Sequence, residues 1–147
     1  PPLASGMEAE AATGDDRVQL RPSGPPLTTK PKGQAMHRHL QAVSDADFTA
    51  SVLESERPVV VDFWAAWCPP CRAMTPVLEE LALEHPELAF VALDADANSQ
   101  TVIEQGVLSM PTFLLFKGGA EVARLVGSRP KRRLAAELEE ALAMVAH

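Results

Sequence analysis

Cysteine is nearly absent from this 147-residue chain: it has only two, Cys68 and Cys71. A pair so close in sequence cannot staple distant segments, so the disulfide-scaffold class of small secreted domains is excluded and the pair acts locally. Long apolar runs are missing too. No stretch approaches the roughly 18 consecutive apolar residues that a membrane span needs, and the N-terminus lacks a basic segment followed by an apolar one. The chain therefore reads as soluble, unexported and without a membrane partner. Basic residues are outnumbered, 13 against 20 acidic ones, for a net charge of −7. That balance disfavours nucleic acid as a partner.

Large apolar residues are sparse up to about Ala35, where Pro1, Pro2, Pro22, Pro25, Pro26 and Pro31 accompany Gly, Ser and Thr. Such a segment buries too little surface to offset its chain entropy, so residues 1–35 are expected to be a disordered extension. Its acids, Glu8, Glu10, Asp15 and Asp16, balance Arg17, Arg21, Lys30 and Lys32, and the net negative charge belongs to the rest. Pro1 is not a natural initiator, so the residues before Met7 read as an added segment, and both Met7 and Met36 offer start positions.

From Met36 the pattern alternates between helix-like and strand-like segments, an α/β signature for one domain over residues 36–147. Ser44-Asp45-Ala46-Asp47 offers N-cap chemistry for a short helix carrying Phe48, Val52 and Leu53, ended by Pro58. Val59-Val60-Val61-Asp62-Phe63-Trp64 suits a strand buried on both faces, in which the aspartate is out of place. Met74, Val77, Leu78, Leu81 and Ala82 recur at helical spacing, with Pro76 expected to interrupt and kink that helix. Further strands are expected at residues 88–93, 112–116 and 121–126, the last two joined by a Gly118-Gly119 turn. A short helix over 101–105 is closed by Gly106, and an amphipathic helix carries Leu134, Leu138, Ala141, Leu142 and Val145. The basic cluster Arg129, Lys131, Arg132 and Arg133 reads as a solvated helix end.

A C-x-x-C pair serves as half a metal site, as a catalytic dithiol or as two buried thiols. A structural zinc needs about four ligands, and beyond the cysteines only His37, His39, His85 and His147 are available, so no metal is expected. Trp67 before the pair and Pro69-Pro70 within it describe an exposed strand-to-helix turn rather than a core position. Two cysteines at a helix start can close a small disulfide ring. The first meets backbone N–H groups and the positive helix end, which favour its thiolate, while the second is shielded in the first turn. Cys68 is thus the attacking sulfur and Cys71 the resolving one.

The run Val61-Asp62-Phe63-Trp64-Ala65-Ala66-Trp67-Cys68-Pro69-Pro70-Cys71-Arg72, followed by Pro76, Met110-Pro111-Thr112, Phe116-Lys117-Gly118-Gly119 and Gly127, resembles the thioredoxin family in order and spacing over residues 37–145. The resemblance implies a thioredoxin fold, a mixed central β-sheet flanked by helices. It implies reduction of protein disulfides in client proteins, as part of cell redox homeostasis. No cofactor is bound, and electrons come from a thioredoxin reductase and NADPH. It also implies a monomer in the cytoplasm. Asp62 matches the family's buried carboxylate, which takes and returns the resolving thiol's proton; burial would push its pKa up. Pro111 matches a cis-proline beside the dithiol, where Met110 presents its backbone to an extended substrate. Trp67, Pro69, Pro70, Val107, Met110, Pro111 and Gly127 are then the substrate-binding residues, with Trp64 left to packing.

Three positions depart from the family pattern. Pro69-Pro70 stands where Gly-Pro is common, so the Cys68 thiolate is expected to lean more on the Cys71 N–H and S–H, with a shift in reduction potential. Ala92 replaces a frequent lysine near Asp62, which is then expected to be harder to ionise, and Ala66 replaces a frequent glutamate beside the site; both leave the active-site surroundings less polar. A membrane-tethered cytochrome-maturation thiol reductase shares Cys-Pro-Pro-Cys, yet no N-terminal anchor is expected here and the 40-position step from Cys71 to Pro111 leaves no room for that group's insertion. A binding module with an incidental dithiol is the rival from another class.

Overall fold

The six residues Val59–Trp64 are all buried and form the middle strand of a five-stranded sheet, as their near-continuous apolar character predicts. The structure, a computed structural model, describes residues 40–146. The expected disorder of residues 1–35, the domain boundary at Met36 and the start positions lie outside the described residues. Within them the chain runs β1 (Gln41–Val43), a π-helical turn (Thr49–Leu53), β2 (Val59–Trp64), α1 (Pro69–Glu84), β3 (Ala89–Asp94), α2 (Ser99–Glu104), β4 (Thr112–Lys117), β5 (Ala120–Val126) and α3 (Lys131–Val145).

The strand order is β1-β3-β2-β4-β5. β1, β3 and β2 are parallel, while β4 and β5 join antiparallel. Parallel neighbours need a long crossover, which α1 supplies between β2 and β3; antiparallel β4 and β5 need only a tight turn. That turn is Gly118-Gly119, with φ of +60° and +84°, a pairing that side chains resist. At Gly119 a Cβ would also stand 3.0 Å from the Leu53 carbonyl oxygen. The result is the mixed sheet flanked by helices that the resemblance implies.

Side chains alternate across a strand, so β2 serves two cores. Val60 and Trp64 join Cys68, Cys71, Met74, Leu78, Phe90, Ala92, Phe113 and Leu134 beneath α1 and α3. Val59, Val61 and Phe63 join Phe48, Val52, Val91, Leu93, Leu114 and Phe116 on the other face, against the π-helical turn and Val102 of α2.

Several local expectations are corrected. The acids before the first helical turn do not cap it, since its first residues have no side-chain cap. Asp47 instead accepts from the Ser44 N–H at 2.7 Å, and Asp45 accepts from the N–H and hydroxyl of Thr101 at 2.8 and 2.6 Å. Asp45 thus ties the loop after β1 to α2. Pro76 does not interrupt α1, which runs unbroken from Pro69 to Glu84. Residues 72, 73 and 76 are exposed, so the carbonyl that the proline cannot bond lies on the water side. The basic cluster is more than a solvated helix end. Arg129 has a side chain only 6% exposed and pairs with Glu137 at 2.7 Å, while Lys131 bridges to Glu80 and Glu84 of α1.

Candidate active site

Cys68 is the N-cap of α1, in extended conformation, with Pro69 and Pro70 opening the helix. Proline suits these positions because its fixed φ matches the helix and its missing N–H has no intrahelical partner there. The first backbone donor is then Cys71 N–H, which lies 3.2 Å from Cys68 Sγ. This is the contact expected from the doubled proline. The next N–H, that of Arg72, goes to the Cys68 carbonyl at 3.3 Å. The two sulfurs are joined in a disulfide with a Cα–Cα distance of 5.3 Å.

Exposure at the turn is uneven. Ala66, Trp67, Pro69 and Pro70 are exposed, as expected of a strand-to-helix turn, but Cys68 itself is only 3% exposed and Cys71 1%. Both cysteines thus lie beneath the exposed residues of the turn. Beside Cys68 lies the Met110-Pro111 peptide, which is cis, with the Met110 carbonyl oxygen 3.7 Å from Cys68 Sγ. Gly127, at φ +96°, donates its N–H to the Pro111 carbonyl at 2.8 Å. The loop at Gly127 and the proline edge are thus fastened together beside the sulfur.

Asp62 is 1% exposed. Pleat alternation puts it on the side of β2 shared by Val60 and Trp64, the side of the cysteines. Its cross-strand neighbours in register are Ala92 and Phe113. Trp64, 1% exposed in the same core as both cysteines, packs as expected.

Among the residues expected at the docking surface, Trp67 adjoins Cys68 in the chain, Met110 approaches it through its carbonyl and Gly127 bonds Pro111, whereas the side chain of Val107 is buried at 5% in the opposite core. Its neighbour Leu108, 96% exposed, is the apolar side chain that this loop turns outward. Two fastenings of the turn were not foreseen. Trp67, 66% exposed, donates from Nε1 to Asp96 at 3.0 Å, and Arg72 donates to the Ala66 carbonyl. The Trp67–Asp96 contact spans 29 positions and left no mark in the local pattern.

Among the described residues no three His, Cys, Asp or Glu side chains converge on a point, and His85 instead contacts Glu87 at 3.1 Å. The chemistry available here is that of a dithiol that cycles through a disulfide.

Comparison with known proteins points the same way. The thioredoxin family profile matches residues 39–140. A thioredoxin of Alicyclobacillus acidocaldarius subsp. acidocaldarius is 48% identical over 101 residues, covering 68% of this chain and 95% of the relative. One from Mycolicibacterium smegmatis is 49% identical over 104 residues, covering 69% and 93%. A bifunctional thioredoxin reductase/thioredoxin of Mycobacterium leprae is 48% identical over 99 residues, covering 67% of this chain and 22% of that protein. A profile match over more than half of the sequence, with near-half identity across almost the whole of two relatives, means that this chain belongs to the thioredoxin family.

Proposed function

We propose that Cys68 attacks disulfides of client proteins, that Cys71 resolves the mixed disulfide, and that Asp62 carries the resolving proton. The chain is a protein-disulfide oxidoreductase of its family, with no bound cofactor, because the dithiol itself holds the two electrons. The Cys71 N–H at 3.2 Å from Cys68 Sγ carries the assignment of the attacking sulfur. A donor at a helix N-terminus stabilises charge on the sulfur that it faces and not on its own.

The Cys68 thiolate displaces one sulfur of the client disulfide, forming a Cys68–client bond and releasing a client thiolate. Asp62 takes the Cys71 proton, and the Cys71 thiolate then attacks Cys68 Sγ. The second client thiolate leaves, and the Cys68–Cys71 disulfide remains with two electrons transferred. The Met110 carbonyl, 3.7 Å from Cys68 Sγ, lies where an extended client segment running beside the sulfur would find a backbone partner. Trp67, Pro69, Pro70, Pro111 and Gly127 shape the rim, with Val107 supporting it from below.

Returning the disulfide to the dithiol requires a reductase, and we assign that role to a thioredoxin reductase drawing on NADPH. The Mycobacterium leprae relative, whose name joins reductase and thioredoxin in one protein, supports this pairing. No described helix is long and apolar enough to cross a membrane. We assign the working chain to the cytoplasm as a monomer, since a reducing compartment supplies that reductase. Residues 36–147 are its catalytic domain, in keeping with the profile match over 39–140.

Reduction of insulin by the chain with dithiothreitol, and then with thioredoxin reductase and NADPH, tests this. Turnover is expected in both, and Cys68→Ser is expected to abolish it. Absence of turnover from the unaltered chain would favour a non-catalytic binding module, and turnover that survives Cys68→Ser would remove Cys68 from the attacking role.

A further inference from the structure

Arg124, on the edge strand β5, is bonded to a segment 18 and 19 positions away. Its Nε and Nη2 donate to the two carboxylate oxygens of Glu121, each at 2.9 Å. The same guanidinium donates from Nη2 to the Gln105 carbonyl at 2.6 Å and from Nη1 to the Gly106 carbonyl at 3.2 Å. α2 ends at Glu104, so these two acceptors come directly after its C-terminus, where carbonyls lack intrahelical partners. A planar fork of donors meets a carboxylate and two carbonyls at once; an ammonium cannot match that geometry.

From Gly106 the chain runs straight into the proline edge. Val107 N–H bonds the Val102 carbonyl at 3.0 Å and Gly127 N–H the Pro111 carbonyl at 2.8 Å. Thr112 Oγ1 donates to the Ser109 carbonyl at 2.7 Å. Between these fastenings stands the Met110 carbonyl, at Cys68 Sγ. α2 has six residues, far too few to hold its shape alone, so its C-terminal end sits wherever tertiary bonds put it.

We infer that Arg124, held by Glu121, is a positioning residue for client reduction: by anchoring Gln105 and Gly106 to β5 it sets the place of the Met110-Pro111 edge against Cys68. Arg124 bonds neither cysteine and acts through the loop. The role presupposes the client-docking edge proposed above. A disulfide too small to lie along that edge reacts with Cys68 independently of it, whereas an extended client segment needs the edge in register.

The test compares insulin with 5,5′-dithiobis(2-nitrobenzoate), a small aromatic disulfide, on the full chain. With Arg124→Met, kcat/KM for insulin is expected to fall about tenfold, chiefly through KM, while the small disulfide stays within about twofold. Arg124→Lys, which keeps the charge and loses the fork, is expected to fall between. Equal losses on both substrates, or no loss on insulin, would overturn the role. Should Arg124→Met not fold, the same ratio is read on Arg124→Lys and Glu121→Gln, and an unchanged ratio there overturns it equally. An unaltered chain that fails to reduce insulin refutes the function proposed above, whereas an active chain whose ratio ignores Arg124 refutes only the positioning.

Discussion

Along β2, Val60, Asp62 and Trp64 point to one side of the sheet and Val59, Val61 and Phe63 to the other, all of them at most 1% exposed. Burial does not distinguish the two sets, but their surroundings do. The first side holds the dithiol, a carboxylate and an indole under α1 and α3. The second is built chiefly of aliphatic side chains and aromatic rings, including Phe48 and Phe116 packed edge to face at 5.8 Å. A period of two thus separates the side that reacts from the side that holds the sheet together, and single substitutions should fail in different ways on each.

The largest expected effect lies on the packing side. Phe63→Ala is expected to lower stability by about 3–5 kcal/mol, through lost transfer energy and the cavity left behind. Insulin reduction per folded molecule should be unchanged, and denaturant unfolding with an activity titration checks both. Substantial loss of specific activity would break the division.

On the reacting side Asp62→Asn is expected to reverse that outcome. Resolution of the mixed disulfide should slow on the order of 10²-fold, as for loss of a general base. Stability should hold or rise, because a neutral amide is easier to bury than a carboxylate. Stopped-flow kinetics beside a thermal melt separates the two.

Ala92→Lys sharpens the same side. Position 92 lies in register with Asp62, and a cation there favours the carboxylate. The acid limb of the pH–rate profile is expected to move to lower pH, and an unmoved limb would show that Ala92 leaves Asp62 indifferent.

The smallest effect belongs to the polar margin of the packing side. The Thr101 hydroxyl, donating to Asp45, holds that carboxyl below its usual 3.8, outweighing the opposing effect of burial. A folded-state pKa that is depressed contributes stability above the carboxylate range, and the contribution is lost as pH falls through it. Asp45→Ala should therefore melt lower than the unaltered chain at pH 7, with the gap closing in acid below about 3.8.

What was legible in the sequence is what neighbouring residues decide. β2 announced itself by six consecutive positions, and Asp62 by being the one polar residue among them. The cysteine pair carries its helix start in its own prolines. β1 escaped notice because it has three residues, two of them exposed, too few to show a period. The acids after it were recognised as caps but given to the wrong helix, since Asp45 serves Thr101, 56 positions on. Asp96 and Arg124 were invisible for the same reason, as their partners become neighbours only once the sheet has formed. Val107 shows the limit of carrying a surface over by motif, because the loop turns Leu108 outward in its place.

The doubled proline has a consequence for observing this protein as well as for its chemistry. Pro69 and Pro70 have no amide hydrogen, so the first backbone proton of α1 is that of Cys71, and it points at Cys68 Sγ. In a two-dimensional amide spectrum the first two positions of the helix are therefore silent, and its first resonance is that of Cys71. That proton faces the Cys68 sulfur, whose charge changes with reduction, which makes it a built-in probe of the redox state.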